Sequence, residues 1–449
     1  MNCILRGVRV LDPAAGVDIV GQDVWLSEGR IIAIYRSIDE GTVPVIDLTP
    51  QPGESPCILA PGFTDLHAHF REPGDEAAET VRSGARAAAA GGFTQVLAMA
   101  NTQPPIDNPA RVAQAVARSA AAAVRVMTVA AVTHDLAGND AVDVEGCAAA
   151  GAVAFSDDGR NAAPVDVLAG VIRRADEVGR PVLVHPEDET MIATRNTTGE
   201  PLTCATDRPQ DAETTAIRSA LAALARAGRG RLHLQHLSTA ASVELVRRAR
   251  EDGIAVTAEV APHHLAMWLP AAQPADPPAL LKVNPPLRTE RDRVALIQGL
   301  REGVIDAVAT DHAPHREDRK SGDVRAAAPG MTGLETALAT CITIGGMSGD
   351  WIPVLVERLT TGPHRVLGAS DEPRPPGLRI GELATCVLFD PAASWTVGEN
   401  STHSRSRNSP LWGARLRGRV LLTIAGGVIA HHDAALLPWP SQLVEATNG

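Results

Sequence analysis

Two histidines that stand two residues apart, His67 and His69, are the first residues of this chain whose types and spacing indicate chemistry. They lie within residues 61–75 and follow an apolar-rich stretch at 63–66. Side chains two apart in a strand point to the same face, whereas on a helix they diverge. The pair therefore predicts two imidazoles aimed at one point, as at a metal site. A polar strand end with two solvated histidines is the alternative for this pair taken alone.

Polar residues that suit metal or substrate binding recur after the later strand-like runs. They are Asn101, Asp157, Asp158, His185, His236, Asp311, His312 and His315. Taken singly, Asp157 and Asp158 before Gly159 also fit a turn, and Asp311 fits a helix cap. Together the chain offers four imidazoles and two carboxylates, a donor set that suits zinc, with manganese, iron or cobalt as alternatives. Six ligands exceed the four of a tetrahedral ion, so the count predicts two metals that share a bridging group.

Eight strand-like runs, which alternate with alanine-rich helical stretches, must position these residues. The strands are predicted at 63–69, 95–101, 125–133, 152–158, 181–185, 231–237, 255–261 and 307–311. Helical apolar spacing predicts helices at 75–90, 109–123, 165–178, 212–227, 239–251, 289–302 and 333–344. This alternation predicts an α/β chain with a (β/α)8 TIM barrel, a fold whose active sites lie at the carboxyl ends of its strands. A doubly wound open sheet is the alternative, but no glycine-rich phosphate turn follows the first strand.

The first 60 residues predict a small β unit. Residues 4–11 and 23–35 alternate apolar and polar side chains, and residues 27–30 fit a hairpin turn. These strands are too few to close a core alone, so we expect them to pack with another part of the chain.

Composition limits the classes to which the protein can belong. Its 449 residues are 45% hydrophobic and 21% charged, which indicates a soluble globular chain with room for a large domain and a smaller one. The sequence shows no signal peptide and no apolar run of about 18 residues, so we expect a cytoplasmic protein with no membrane partner. A net charge of −12 argues against nucleic acid, and six scattered cysteines indicate buried thiols. An anionic substrate would need positive charge supplied locally.

Four motifs together carry a family resemblance. They are Pro61-Gly62-Phe63-x-Asp65-x-His67-x-His69-x-Arg71-x-Pro73-Gly74, Ala154-Phe155-Ser156-Asp157-Asp158-Gly159, Val283-Asn284-Pro285-Pro286-Leu287-Arg288 and Ala309-Thr310-Asp311-His312-Ala313-Pro314-His315. The first motif resembles the opening of the cyclic amidohydrolases, and the four together resemble type I dihydroorotases over nearly the whole length. The resemblance implies a metal-dependent hydrolase barrel at residues 61–369. It also implies a small β-sandwich that combines residues 1–60 with residues 370–449. The C-terminal strands of this sandwich are expected at 381–391 and 416–431.

The resemblance also implies the roles of individual residues. The implied zinc ligands form two sets joined by a bridge, with His67, His69 and Asp311 at one ion, His185 and His236 at the other, and Asp158 between them. The choice of Asp158 over Asp157 follows the family's spacing, because strand alternation shows only that the two point opposite ways. Many relatives, including hydantoinases and allantoinases, bridge their metals with a carbamylated lysine on the fourth strand. The only lysines here, Lys282 and Lys320, lie far from that strand in the sequence.

The implied reaction is the reversible cyclisation of N-carbamoyl-L-aspartate to dihydroorotate in pyrimidine synthesis. Asp311 would exchange a proton with the ring nitrogen, and Arg71 would bind the substrate carboxylate as a bidentate pair. The other implied substrate contacts are His69, Asn101, Asn284, His315, Pro329 and Gly330. The stretch at 316–328 is expected to be a mobile loop that shields the site from water.

Three interpretations remain open at the level of sequence. The first is an active dihydroorotase with two zinc ions. The second is hydantoin or dihydropyrimidine hydrolysis, which the missing strand-four lysine and the presence of Arg71 disfavour. The third is a non-catalytic barrel that supports aspartate transcarbamoylase, which the presence of all six ligands disfavours. The family suggests a homodimer, with aspartate transcarbamoylase as a further partner.

Overall fold

A computed structural model of the chain describes residues 2–39, 41–160, 163–196, 209–269, 278–346, 349–368 and 377–439. The chain begins with five strands of a small sheet: β1 (Asn2–Asp12), β2 (Val17–Ser27), β3 (Arg30–Tyr35), β4 (Val45–Asp47) and β5 (Ile58–Pro61). Glu28 and Gly29 join β2 to β3 with φ values of 50° and 74°. Positive φ at both central residues is what a two-residue type I′ hairpin requires, so the predicted turn is confirmed.

Eight parallel strands follow and form the barrel. They are β6 (Phe63–Ala68), β7 (Phe93–Ala98), β8 (Arg125–Ala130), β9 (Ala152–Phe155), β10 (Val182–Val184), β11 (Leu232–Leu234), β12 (Val256–Val260) and β13 (Ala307–Val308). Each strand pairs with the next one along the chain. The ring closes through a parallel bridge from Ala68 to His312, beside which the His69 amide donates to the His312 carbonyl at 2.8 Å. The predicted (β/α)8 barrel is confirmed.

Helices fill the connections between these strands and the stretch that follows β13. They are α1 (Val81–Ala90), α2 (Pro109–Ser119), α3 (Val144–Ala149), α4 (Val165–Glu177), α5 (Glu189–Asn196), α6 (Gln210–Ala227), α7 (Ala240–Glu251), α8 (Pro262–Ala266), α9 (Glu290–Glu302), α10 (Glu317–Lys320), α11 (Ala337–Gly345), α12 (Trp351–Leu359) and α13 (Thr361–Leu367). All seven predicted helices are present. Helix α1 begins later than predicted, because Thr80 caps it by accepting a hydrogen bond from the Ser83 amide at 3.1 Å. No helix in the described part of the chain is long and apolar enough to span a membrane.

The barrel is filled by side chains and covered at one end. Buried residues from several strands, such as Leu66, Leu97 and Leu183, form a cluster with Val366 of α13. The Arg231 guanidinium, which precedes β11, donates to the Leu367 carbonyl at 2.6 Å. Helix α13 therefore packs at the amino ends of the strands, which leaves the carboxyl ends for the functional site.

Three C-terminal strands complete the small domain: β14 (Cys386–Thr396), β15 (Arg415–Ala425) and β16 (Val428–His432). The order in this sheet is β16-β15-β14-β5-β1-β2-β3, with β4 beside β1, so residues 2–61 and residues 386–432 contribute strands to one sheet and share one core. The prediction of one strand at 416–431 was wrong. Gly426 and Gly427, at φ values of 58° and 85°, turn the chain there and divide it into β15 and β16. The predicted domain boundary between residues 369 and 370 lies outside the described residues.

Candidate metal centre

Six buried side chains gather at the carboxyl ends of the barrel strands. Each lies at the end of its strand or within three residues of it, and none is more than 6% exposed. They are His67, His69, Asp158, His185, His236 and Asp311. These are the six residues that the sequence assigned to metal binding, and the fold brings all of them together.

Asp158 lies at the centre of this cluster. Its Oδ1 atom is 3.2 Å from His67 Nε2, 3.5 Å from His185 Nδ1 and 3.8 Å from His236 Nε2. Its Oδ2 atom is 3.4 Å from His69 Nε2. One carboxylate thus faces imidazoles that follow three different strands, and its two oxygens point to different histidines. A carboxylate that bridges two metal ions must likewise present its two oxygens to different partners.

Asp311 faces the histidines at the end of β6. Its Oδ1 atom is 3.2 Å from His69 Nε2 and 3.7 Å from His67 Nε2. Among the described residues, two groups of side chains could each hold a metal ion, because the potential ligand atoms within each group all lie within 4.8 Å of one another. The groups are His67, Asp158 and His236, and His67, His69 and Asp311. His185 adjoins the first group, because its Nδ1 atom is 3.0 Å from His236 Nε2.

The cluster holds buried polar atoms that lack a hydrogen-bond partner within the described protein. His67 Nε2 and Asp158 Oδ1 are two such atoms, although they face each other. Buried polar atoms are almost always paired, and an unpaired one costs free energy. A cation among these nitrogen and oxygen atoms would supply the missing partner, and zinc accepts both kinds of ligand. The residues present therefore fit a metal site.

The charges of the cluster stabilise one another. Burial by itself would raise the pKa of Asp158, but His67, His185 and His236 outweigh burial and hold that pKa well below its ordinary value. Burial by itself would lower the pKa of His67 and His185. The neighbouring carboxylates instead raise the pKa of His67 well above its ordinary value and that of His185 to about 9. A bound metal needs the neutral imidazole, so metal binding would compete with protons at these nitrogens.

The barrel strands end earlier than the sequence predicted, and the backbone explains the difference. We predicted strands through Asp158, His236 and Asp311, whereas β9, β11 and β13 end two or three residues before these side chains. His236 and Asp311 have φ values of 28° and 46°, a region that strand residues do not occupy and that costs free energy for any residue except glycine. The chain leaves the strand at these positions, and the turn aims the side chains inward.

A buried carboxylate that the sequence did not indicate orients His67. Glu259 on β12 has one oxygen 3.1 Å from His67 Nδ1 and the other 2.9 Å from His233 Nε2. Acceptance of the Nδ1 proton by Glu259 leaves the Nε2 lone pair of His67 directed at Asp158 and at a metal. Glu259 is the one charged residue of β12, but a single charged residue within a strand does not by itself indicate a partner for a metal-binding histidine.

Two further predicted ligands, His69 and His185, are oriented by hydrogen-bond partners as His67 is by Glu259. The Asn101 Oδ1 atom is 2.9 Å from His69 Nδ1, and its Nδ2 donates to Asp158 Oδ2 at 3.1 Å. Glu187 Oε2 is 3.1 Å from His185 Nε2, which leaves His185 Nδ1 for the cluster. The structure thus places Asn101, predicted to contact substrate, against two of the predicted metal ligands.

Asp157 lies outside the cluster, although it is adjacent to Asp158 in sequence. Its Oδ1 atom accepts hydrogen bonds from the Val132 amide at 2.7 Å and the Thr133 amide at 3.0 Å, and its Oδ2 atom accepts one from the Thr133 hydroxyl at 2.5 Å. This carboxylate therefore fixes the loop that follows β8. The two aspartates do different things because the backbone turns them in different directions.

Four of the predicted substrate contacts form a second group beside the metal cluster. The Arg71 Nε atom donates to the Pro314 carbonyl at 3.1 Å, and its Nη2 atom is 3.5 Å from His315 Nε2. His315 Nε2 is also 2.8 Å from the Pro329 carbonyl. A Cβ atom added to Gly330 would come within 2.5 Å of the Ala313 side chain, so glycine permits this close approach. A cavity of about 1040 Å³ lies beside His315.

Asn284 lies apart from this group, in the loop between α8 and α9. Its side chain is half-buried, and it makes no hydrogen bond to the cluster among the residues that the structure describes. His264 Nε2 holds the same loop through the Pro285 carbonyl at 3.0 Å. The stretch at 316–328 contains α10 and is anchored by Lys320, whose Nζ donates to the Lys282 and Ala328 carbonyls at 2.7 and 2.9 Å.

Comparisons with known proteins place the chain within one family. A family model described as Dihydro-orotase-like matches residues 57–199. The dihydroorotase of Anaeromyxobacter sp. (strain K) is 38% identical over 443 residues, which is 96% of this chain and 98% of the relative. The dihydroorotase of Thermus aquaticus is 39% identical over 443 residues, 95% of this chain and 99% of the relative.

Solved structures show the same fold. L-hydantoinase (dihydropyrimidinase) from Arthrobacter aurescens superimposes with a TM-score of 0.82 at 23% identity and covers 96% of each chain. Dihydropyrimidinase from Brevibacillus agri NCHU1002 gives a TM-score of 0.82 at 23% identity, over 96% of this chain and 95% of the other. The barrel, its companion sheet and the histidine and aspartate cluster define a cyclic amidohydrolase. Because its relatives match over nearly their full length, the chain belongs to the dihydroorotase family.

Proposed function

We propose that this protein interconverts N-carbamoyl-L-aspartate and dihydroorotate and that it does so with two zinc ions. The observation that carries the proposal is the Asp158 carboxylate, which faces four imidazoles and lies beside a group built around Arg71. Opening or closing a cyclic amide needs an activated water, a proton carrier and a means of holding the substrate's carboxylate. The metal cluster would activate the water and carry the proton, and the adjacent group around Arg71 would hold the carboxylate.

The metal ligands would divide around Asp158. His67, His69 and Asp311 would hold one ion and His185 and His236 the other, with Asp158 between the two sets. Its Oδ2 atom faces His69, and its Oδ1 atom faces His67 as well as His185 and His236. Zinc in such a site lowers the pKa of water and polarises a carbonyl oxygen. Glu259, Asn101 and Glu187 would keep three of the imidazoles in the tautomer that presents a lone pair inward.

Asp311 is the residue that we assign to proton transfer. Burial would raise its pKa, but His69, His67 and His236 hold that pKa below its ordinary value, so the carboxylate is ionised at neutral pH. An ionised carboxylate at the edge of the cluster accepts a proton during ring opening and delivers it to the ring nitrogen. In the biosynthetic direction the same oxygen takes the proton from the carbamoyl nitrogen.

Arg71 is positioned to bind the carboxylate of the substrate. Its Nε atom is held by the Pro314 carbonyl, which fixes the plane of the guanidinium and orients its two Nη atoms. Burial lowers the pKa of Arg71, and the carboxylates of Asp311 and Asp158 oppose that shift, so the group stays cationic. A fixed guanidinium pairs with a carboxylate through two parallel hydrogen bonds. Asn284, Asn101, His69, His315, Pro329 and Gly330 are the further contacts that we propose for the ring and its carboxylate.

The two lysines argue against a hydantoinase-type site. Lys320 donates to two backbone carbonyls, and Lys282 Nζ donates to the Arg325 carbonyl at 2.9 Å. Both lysines therefore lie in the loops after β12 and β13, whereas Asp158 occupies the central position that a bridging lysine would need. The presence of a complete cluster likewise argues against a barrel that only supports aspartate transcarbamoylase.

The test is ring opening of dihydroorotate by purified protein at slightly alkaline pH, with zinc measured in the same preparation. We expect turnover with about two zinc ions per chain, loss of turnover in Asp158→Ala, and much slower turnover of hydantoin and dihydrouracil, which lack the carboxylate. Faster turnover of dihydrouracil than of dihydroorotate would establish a dihydropyrimidinase instead. Bound zinc without turnover of any of the three would indicate a supporting subunit, and the aspartate transcarbamoylase partner would then be added.

The assembly that we propose follows the resemblance to type I dihydroorotases. It is a cytoplasmic homodimer that associates with aspartate transcarbamoylase, whose product is N-carbamoyl-L-aspartate. Light scattering of the protein alone and after mixing with the transcarbamoylase would measure both associations, and a monomer that stays unchanged on mixing would contradict the proposal.

A further inference from the structure

The connection between β14 and β15 leaves the small domain and runs along the barrel. Residues 398–409 make hydrogen bonds there with two acidic side chains, the buried Glu79 and the half-buried Glu335. Glu79 accepts from the Ser404 hydroxyl and from the Arg405 amide at 3.2 Å, and Glu335 accepts from the His403 amide and from the Ser404 amide at 3.1 Å. The small domain is thereby tied to the end of the barrel that holds the candidate metal centre.

Glu79 also connects this segment to the strand that closes the barrel. Its Oε2 atom is 3.3 Å from Nε2 of His312, the residue that follows Asp311. His312 Nδ1 accepts a hydrogen bond from the Gly333 amide at 3.1 Å. Glu79 and His312 therefore link the segment to the backbone that carries Asp311.

Asn408 occupies the point at which the segment meets the proposed substrate loops. Its side chain is 4% exposed. Its Nδ2 atom donates to the Ala313 carbonyl at 3.0 Å and to the Gly330 carbonyl at 3.2 Å, and its Oδ1 atom accepts from the His315 amide at 3.0 Å. One amide thus joins the loop that carries His315 to the loop that carries Gly330.

We propose that Asn408 is a positioning residue that holds His315 and Gly330 in the geometry that binds substrate. The proposal rests on the proposed function, because those two residues act there as substrate contacts. An amide suits the position because it offers two donors to two carbonyls and one acceptor to an amide. The small domain then contributes to the site through a residue more than 90 positions after His315 in the chain.

The test compares Asn408→Asp with the wild type. Aspartate has the same shape and still accepts from the His315 amide, but it sets a carboxylate oxygen against two carbonyls. Thr402→Val is the matched control, because within the described part of the chain the Thr402 hydroxyl bonds to the Gly398 carbonyl of its own segment, at 2.9 Å, and to no residue of the barrel. Asn408→Ser, which keeps a hydroxyl donor, serves as a second variant if the aspartate variant does not fold.

Two readouts are measured: KM and kcat for dihydroorotate, and backbone hydrogen exchange at residues 313–331. We expect KM to rise about tenfold or more and exchange to accelerate about tenfold in the Asn408 variant, with kcat within about threefold, zinc content unchanged and the control at wild-type values. Wild-type KM or wild-type exchange in the Asn408 variant overturns the proposal, as does a loss confined to kcat and melting temperature. If the wild type itself does not turn over dihydroorotate, the proposed function fails, and the exchange data alone then support or overturn the positioning role.

Discussion

Replacement of Glu259 by glutamine should weaken zinc binding without removing any proposed ligand. Burial raises the pKa of Glu259, but His233 and His67 outweigh it and lower that pKa to about 2, so the carboxylate is ionised. It accepts hydrogen bonds from both histidines, at 2.9 and 3.1 Å. A glutamine can accept from only one of them, because its other terminal atom is a donor.

The size of the effect follows from the hydrogen bond that is lost. If the glutamine NH2 group faces His67, the His67 proton moves to Nε2, and the lone pair that should face the metal is gone. A hydrogen bond to a charged group contributes about 1.5–3 kcal/mol, and about 1.4 kcal/mol corresponds to a factor of ten in affinity. We therefore expect the zinc Kd to rise about 10- to 100-fold, the range typical for partners of metal-binding histidines.

The assay is a zinc titration of chelator-treated protein in competition with a chromophoric chelator. Glu244→Gln is the control, because Glu244 lies on the surface of α7 and, among the described residues, forms its ion pairs with the half-buried Arg247 and the exposed Arg248 of the same helix. A Glu259→Gln variant whose zinc Kd lies within about threefold of the control would refute the view that Glu259 sets the His67 tautomer.

Three other predictions concern substrate binding, packing and pH. Arg71→Lys should raise KM for dihydroorotate about 10- to 100-fold, since an ammonium cannot form the bidentate pair. Phe63→Ala should lower the free energy of unfolding by about 3–5 kcal/mol, because its fully buried ring contacts Phe93 of the barrel and Phe389 of the small sheet. Burial lowers the pKa of His263 to about 4, so the unfolded chain binds a proton there below pH ~6.5 and the folded chain does not. The free energy of unfolding should therefore fall by up to about 3 kcal/mol as the pH drops from ~6.5 to ~4, and less so in His263→Asn.

Each of these has a direct measurement. Steady-state kinetics test Arg71→Lys, with the exposed Arg248→Lys as control, and an unchanged KM would contradict the carboxylate contact. Urea unfolding tests Phe63→Ala, and a loss below about 1 kcal/mol would show that the two domains do not share this packing. Urea unfolding of metal-free protein at a series of pH values tests His263, and parallel pH profiles for the wild type and His263→Asn would contradict the assignment.

The alternation of apolar runs and helical stretches was sufficient to predict the barrel. All eight barrel strands and seven of the thirteen described α-helices were found from local patterns, because strand and helix periodicity are properties of short windows. The ends of the strands were less well predicted. The positive φ values at His236 and Asp311 depend on how the chain turns over the barrel, and no local signal marks them.

The sequence by itself placed candidate donors at the ends of β6, β9, β10, β11 and β13, and the family resemblance selected six of them. Parallel strands present their carboxyl ends at one face, so these candidates were expected to meet. The sequence did not determine which side chains orient that set. Glu259 contacts His67 across 192 positions, and Asn408 contacts His315 across 93. Contacts of this kind form only when distant segments pack together, and hydrogen bonds between such segments leave no periodic trace in the sequence. Strand alternation left Asp157 and Asp158 open, the family resemblance favoured Asp158, and the structure shows that Asp158 faces the cluster while Asp157 binds the loop after β8. The tertiary structure alone decided that the C-terminal segment reaches the site.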